Sequence, residues 1–269
     1  MSDAARMPLV FFGHGSPMIA LQSNETSRAW SKIASGLPTP RAILCISAHW
    51  ETRGAAVTAM LAPRTIHDFG ASFPKALFEM QYPAPGDPAL AARVAELLAP
   101  TPVTLDEGEW GLDHGAWSVL SKAYPAADIP VVQLSLDVGL GPAERFEVGR
   151  RLGPLRDEGV LVMGTGNIVH NLGAMNWGEQ GCTPFDWASR FLAEVRNAIL
   201  ADAPQRVIDF ARLGRDAQLA LPSQEHFWPL LYVLGARTPQ DRARLVNDRI
   251  EHGSLAMTSV VLEAPAASA

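Results

Sequence analysis

Short, almost uninterrupted apolar runs, each ending in glycine or a polar turn, constrain the fold of this chain more than any other feature. Pro8–Phe12, Arg41–Ser47, Ile129–Leu136 and Val160–Met163 lack the in-out alternation of a strand with one wet face. Strands of that kind are buried on both sides, which requires helices above and below the sheet. Gly54–Met60 and Ser254–Glu263 are further strand candidates. Pro88–Leu98 has apolar positions at helical spacing behind a proline suited to a first turn. Glu144–Asp157 is an amphipathic helix with Gly159 as its stop, and Phe185–Ala201, Pro204–Leu213 and Phe227–Leu234 complete the helical set. The pattern is α/β: a central sheet covered by helices on both faces. No repeat or low-complexity linker divides it, so residues 1–269 read as a single catalytic domain with 1–6 and 264–269 as loose tails.

A chain of 269 residues buries enough surface to fold without a disulfide or a structural metal. Its net charge of -6 offers no basic excess for phosphates, which argues against a nucleic-acid partner. No apolar stretch is long enough to span a bilayer, so no membrane partner is expected. The two cysteines, Cys45 in an apolar run and Cys182 in a glycine-rich loop, form no framework or zinc-type pair. With no apolar leader at the start, they point to a reducing, cytoplasmic setting. Nothing sets the oligomeric state.

The chemistry-bearing residues are histidines. His14 directly follows the first strand in Gly13-His14-Gly15-Ser16-Pro17, His49 follows the second in Ser47-Ala48-His49-Trp50, and His170 follows Val160–Met163 through Gly164-Thr165-Gly166-Asn167. Ligands of open α/β sheets bind outside the carboxyl ends of the strands, so these three side chains are delivered to one edge. His114 and His226 each open a helix that can bring them to the same crevice. Neutral imidazole is the commonest metal ligand, and an open site needs about three of them. His67 either lines a substrate loop or caps a turn, and His252 reads as a surface residue. Trp50, Trp117 and Trp228 beside the histidines are explained by core packing as well as by substrate stacking. Phe69, Phe73, Tyr82 and Trp177 are candidates for shaping a pocket, with packing as the default explanation. Asp106, Glu107 and Glu109 read as a solvated loop. There is no H-E-x-x-H helix, nucleophile elbow or Walker loop.

The same residues carry a likeness. Gly13–Pro17, Ser47–Trp50, Thr65–Gly70, Tyr82–Gly86, Leu112–Gly115, Gly166–Leu172 and Glu225-His226 with Pro229–Tyr232 together resemble the motifs of the 4,5-DOPA extradiol dioxygenase family, within the class III extradiol ring-cleavage dioxygenases related to protocatechuate 4,5-dioxygenase. The resemblance spans nearly the whole chain. It implies an α/β fold with a mixed central sheet, and metal ligation by His14, His49 and His226. It makes His170 either a fourth ligand or a catalytic acid/base residue, and sets His114 beside the substrate as a second catalytic candidate. It implies Fe(II) for activity, with Zn(II) able to occupy the same ligands, and a catechol such as DOPA plus O₂ as reactants. The competing readings are a zinc-dependent hydrolase using the same histidines and a non-enzymatic metal-binding protein on the same fold.

Overall fold

The computed structural model describes residues 6–178 and 182–264. In chain order the first half contains β1 (Leu9–Gly13), α1 (Glu25–Ser35), β2 (Ala42–Thr52), β3 (Ala55–Thr58), α2 (Lys75–Phe78), α3 (Pro88–Leu98) and β4 (Val103–Asp106). Next come α4 (His114–Ala123), β5 (Val131–Asp137), α5 (Pro142–Leu152), β6 (Val160–Gly166), α6 (Asp186–Leu200), α7 (Pro204–Ile208), α8 (Arg215–Ala220) and α9 (Trp228–Gly235). The chain closes with β7 (Arg242–Val246), β8 (Ile250–Glu251), β9 (Leu255–Ala256) and β10 (Ser259–Glu263).

Eight of the strands form one sheet in the order β4-β3-β5-β2-β6-β1-β10-β7. Its centre, β5-β2-β6-β1, is parallel, and β10 and β7 extend it antiparallel. The sheet is therefore mixed. Successive side chains of the central strands enter different cores, as the period of two demands. Leu9, Phe11, Leu44, Ile46, Val160 and Val162 face the layer containing α3, α6 and α9. Val10, Phe12, Ile43, Cys45, Leu161 and Met163 face the layer of α1 and α4. Burial on both faces explains why these strands carry no polar alternation.

Several boundaries differ from the sequence expectation. β2 does not stop at Ser47 but continues to Thr52, with a register shift against β5 between Ile46 and Glu51. The expected helix Glu144–Asp157 is α5 followed by a 3-10 segment, Gly153–Glu158, because Pro154 cannot donate to the α ladder. Gly159, at φ 75°, ends it as expected. Pro204–Leu213 likewise divides into α7 and a 3-10 turn at Phe210–Leu213. Ser254–Glu263 is broken into β9 and β10. The break at Met257 lies where its backbone packs against Gly13, a position with no room for a side chain. Arg6, expected in a loose tail, is held by a two-pronged contact with Asp157 at 2.7 and 2.6 Å. Residues 1–5 and 265–269 lie outside the described residues.

Candidate active site

Three imidazoles converge where β1, β2 and β6 end. His14 directly follows β1, and its backbone N–H donates to Gly166 at the end of β6. His49 lies within β2 rather than after it, on the stretch where the register shifts; an irregularity of this kind re-aims a side chain. His226 precedes α9 by two residues, so it leads into the helix rather than opening it. Its carbonyl accepts from the Asn167 N–H at 2.8 Å, and Gly166 has no side chain to hold the two segments apart. Asn167 then reaches back to the carbonyls of His14 and Ala256. Candidate ligand nitrogens of His14, His49 and His226 all lie within 4.8 Å of one another.

The hydrogen bonds behind the rings determine which nitrogen faces inward. The Thr165 hydroxyl donates its one proton to the Gly115 carbonyl at 2.9 Å. At the His14 Nδ1 contact of 2.7 Å it therefore accepts, which puts the His14 proton on Nδ1 and leaves Nε2 as a lone pair. Glu225 Oε1, 3.1 Å from His226 Nδ1, orients that ring in the same way. Burial, reinforced by the neighbouring imidazoles, pushes the pKa of His14 and of His226 well below the usual histidine range. Burial and then His114 push His49 down to about 3. At neutral pH the three rings are uncharged donors. His14 Nε2 and His49 Nε2 are 3.1 Å apart. Two nitrogens sharing one ion at about 2.1 Å stand roughly 3.0–3.4 Å from each other, so the donor set fits a single metal ion.

Two further histidines flank this group. His114, the first residue of α4, lies with its ring 3.9 Å from that of His49. Asp68 clamps it, Oδ1 accepting from the His114 backbone N–H at 2.8 Å and Oδ2 from Nδ1 at 2.9 Å. Asp68 Oδ2 is 3.8 Å from His49 Nδ1, beyond hydrogen-bond reach. Burial alone would raise the Asp68 carboxyl, but the bonds to His114 outweigh it and hold it below its ordinary range. His170 stacks on His226 at 3.5 Å and 8° between ring planes. Its candidate ligand atoms group with those of Glu225 and His226, not with those of His14 and His49. Burial lowers its pKa to about 4, against the opposing pull of Glu225.

All five rings line one cavity of about 560 Å³, in the range of small-molecule sites. Phe69, Phe73 and Trp177 line it too, whereas Tyr82 is buried in the core with its hydroxyl on the Tyr124 carbonyl. His67 is outside the cavity, bonded to the Met80 carbonyl at 3.0 Å, so it closes a loop. His252, expected at the surface, is on the cavity wall. Trp117 and Trp228 are core residues, and Trp50 stacks on Trp110. Asp106 is buried as the acceptor for the N–H groups of Gly108, Glu109 and Trp110 rather than solvated. Sequence reasoning missed Thr165 and Asp68. Thr165 had a usable signal, a lone hydroxyl in an otherwise apolar buried strand. Asp68 had none, since its partner His114 is 46 residues away in the chain.

Residues 10–262 match the family described as the catalytic LigB subunit of aromatic ring-opening dioxygenase. The chain belongs to this LigB family. The 4,5-DOPA dioxygenase extradiol of Escherichia coli K12 is 49% identical, over 96% of this chain and 95% of its own. The protein of the same description from Beta vulgaris is 37% identical, over 93% of this chain and 94% of its own. A crystal structure of an uncharacterized protein from Escherichia coli K12 aligns with a TM-score of 0.83 at 45% identity, covering 95% of this chain and 99% of that one. This LigB chain is thus a dioxygenase with the expected mixed α/β fold, and neither a hydrolase nor a binding protein is favoured. LigB dioxygenases use a metal, and the group of three imidazoles is a donor set able to hold one.

Proposed function

We propose that the protein opens the ring of a catechol such as DOPA beside its two hydroxyls, using O₂ and a mononuclear non-haem iron held by His14, His49 and His226. The observation that carries this reading is the pair of further imidazoles beside a three-nitrogen donor set in one cavity, His114 with its ring 3.9 Å from that of His49 and His170 stacked on His226. Bound Fe(II) supplies the electron chemistry toward O₂ and lowers the pKa of the catechol hydroxyls. The chain supplies the proton chemistry. His114 keeps its proton on Nδ1, where it donates a hydrogen bond to Asp68, so its Nε2 is an acceptor for a phenolic proton. His170, kept neutral by burial, is the second base and returns a proton as the ring opens. Its stacking on His226 supports this role over that of a fourth ligand. Apolar lining from Phe69, Phe73 and Leu255 holds the ring and displaces water. Cys45 and Cys182 are both free thiols, which supports a reducing, cytoplasmic setting.

The test is a panel of substituted catechols offered to protein loaded anaerobically with Fe(II), and separately with Zn(II). Iron-loaded protein should give the coloured aldehyde-acid products of cleavage beside the hydroxyls. Zinc fits the same nitrogens but has no second oxidation state to use, so zinc-loaded protein should give none. Cleavage between the hydroxyls, or equal rates with zinc, would overturn the proposal.

A further inference from the structure

The cavity extends beyond the imidazoles to a wall made by a hairpin. β8 pairs with β9, Glu251 opposite Leu255, and Leu255 in turn bridges His170. Residues directly opposite one another on paired strands point to the same face, and His170, Leu255 and Glu251 do all line the cavity. Two strand spacings put the Glu251 backbone about 10 Å from that of His170. A catechol held beside His170 therefore directs any short arm on its ring along Leu255 toward Glu251. The hairpin turn is fixed by His252 and Gly253, both left-handed at φ 51° and 80°. His252 also bonds the Asn176 carbonyl at 3.0 Å, which ties the turn to the segment carrying the cavity residues Met175 and Trp177.

The charges along this path have one sign. Among the described residues, the cavity lining includes Asp68 and Glu251 and no lysine or arginine. Glu251 is largely enclosed, its side chain 15% exposed. Its Oε1 accepts from Arg249 Nε at 3.1 Å and Nη2 at 2.8 Å, while Oε2 takes no hydrogen bond from the described residues. Arg249 is shared with Glu25 at 3.3 Å, so the trio keeps one net negative charge. The nearby polar lining from Gln22 and Asn24 is neutral.

We infer that Glu251 is a specificity-determining residue that selects catechols whose ring carries a short cationic, ammonium-bearing arm. The inference rests on the catechol reading above. The selected feature is the ammonium group, so an aminoethyl arm without a carboxylate suffices. A carboxylate arm meets only like charge and is disfavoured.

Fe(II)-loaded wild type, Glu251→Gln and Glu251→Lys are compared on catechols carrying an aminoethyl, an ethyl or a carboxymethyl arm. Binding of the matching monophenols, which are not cleaved, is measured by calorimetry. Wild type should prefer the aminoethyl over the ethyl arm by roughly tenfold in kcat/KM and in monophenol affinity. That ratio should fall toward one in Glu251→Gln, and Glu251→Lys should favour the carboxymethyl arm. If Glu251 serves only to hold Arg249, both variants will slow all three substrates alike and leave the ratio standing, which overturns the inference. Wild type that cleaves the ethyl and aminoethyl catechols equally well sinks this inference alone. Wild type that cleaves none of the three sinks the catechol reading with it.

Discussion

A histidine is a useful metal donor only when its proton is on the outward nitrogen. In this protein Thr165 makes that assignment for His14. Its hydroxyl proton is spent on the Gly115 carbonyl, so it accepts from His14 Nδ1. Thr165→Val keeps the volume and removes the acceptor. It should weaken metal affinity by about 10–100-fold in a chelator competition, with the circular dichroism spectrum unchanged. Unaltered affinity would show that the tautomer needs no such support. Asp68 has a different role, since it bonds His114 and not a member of the converging trio. Asp68→Asn should retain metal while kcat falls, because the His114 ring loses its anionic clamp; metal content and turnover measured on one preparation separate the two effects. Five of the histidines that line the cavity were legible in the sequence because strand ends and helix starts mark them. Their supporting residues were not. Thr165 acts across 151 positions of chain on His14, Asp68 across 46 on His114 and Gln133 across 20 on Asp113, and no local pattern reports such a contact.

The elements bring these side chains together by close backbone approach. α4 is pinned by Asp113, which caps it through the Ala116 N–H at 3.1 Å and also accepts from Ser47 at 2.7 Å and from Gln133. Burial pushes the Asp113 carboxyl above its ordinary range, against those bonds. At the second residue of the helix, a Cβ on Gly115 would stand 2.6 Å from both His49 Cδ2 and Ser47 Oγ. Gly115→Ala, which on helix propensity alone favours the fold, should displace His49 and lower bound metal and turnover together, with the melting temperature reduced far less than the activity. A variant with full metal occupancy would show that the neighbours yield at no cost. The central strands and the long apolar helices were readable because a two-sided sheet leaves apolar runs. The edge strands β4 and β7 were not. Exposure to solvent lets them carry residues such as Thr104, Arg242 and Arg244, which leave no apolar signature. α1 escaped for a similar reason: Trp30, Ile33 and Ala34 pack inward, while most of its remaining surface is polar.

At the scale of the molecule, the two ends of the chain meet in one sheet, and a buried ion pair fastens that join. Arg156 and Asp241, both with fully enclosed side chains, bond twice at 2.7 Å. The same guanidinium donates to the carbonyls of Met7 and Ala236. Burial would raise the Asp241 carboxyl, but Arg156 and Thr238 outweigh it and hold it below its ordinary value. A carboxyl depressed in the folded state stabilises the fold above its unfolded pKa of about 3.9, and that contribution is lost as the pH falls through the folded value. Asp241→Asn should cost about 3–5 kcal/mol near pH 7 in urea unfolding and flatten the acid limb of stability below about pH 4. An unchanged acid limb would exclude this pair as its source. The central claim is that the converging imidazoles of His14, His49 and His226 support ring opening by O₂. It is tested most directly by oxygen consumption in an electrode cell, with Fe(II)-loaded wild type and His14→Ala given the same catechol. The account predicts one O₂ taken up per ring opened by the wild type, with iron content and uptake both lost in His14→Ala. Ring opening without oxygen uptake, or a His14→Ala protein that keeps its iron and its rate, would contradict it.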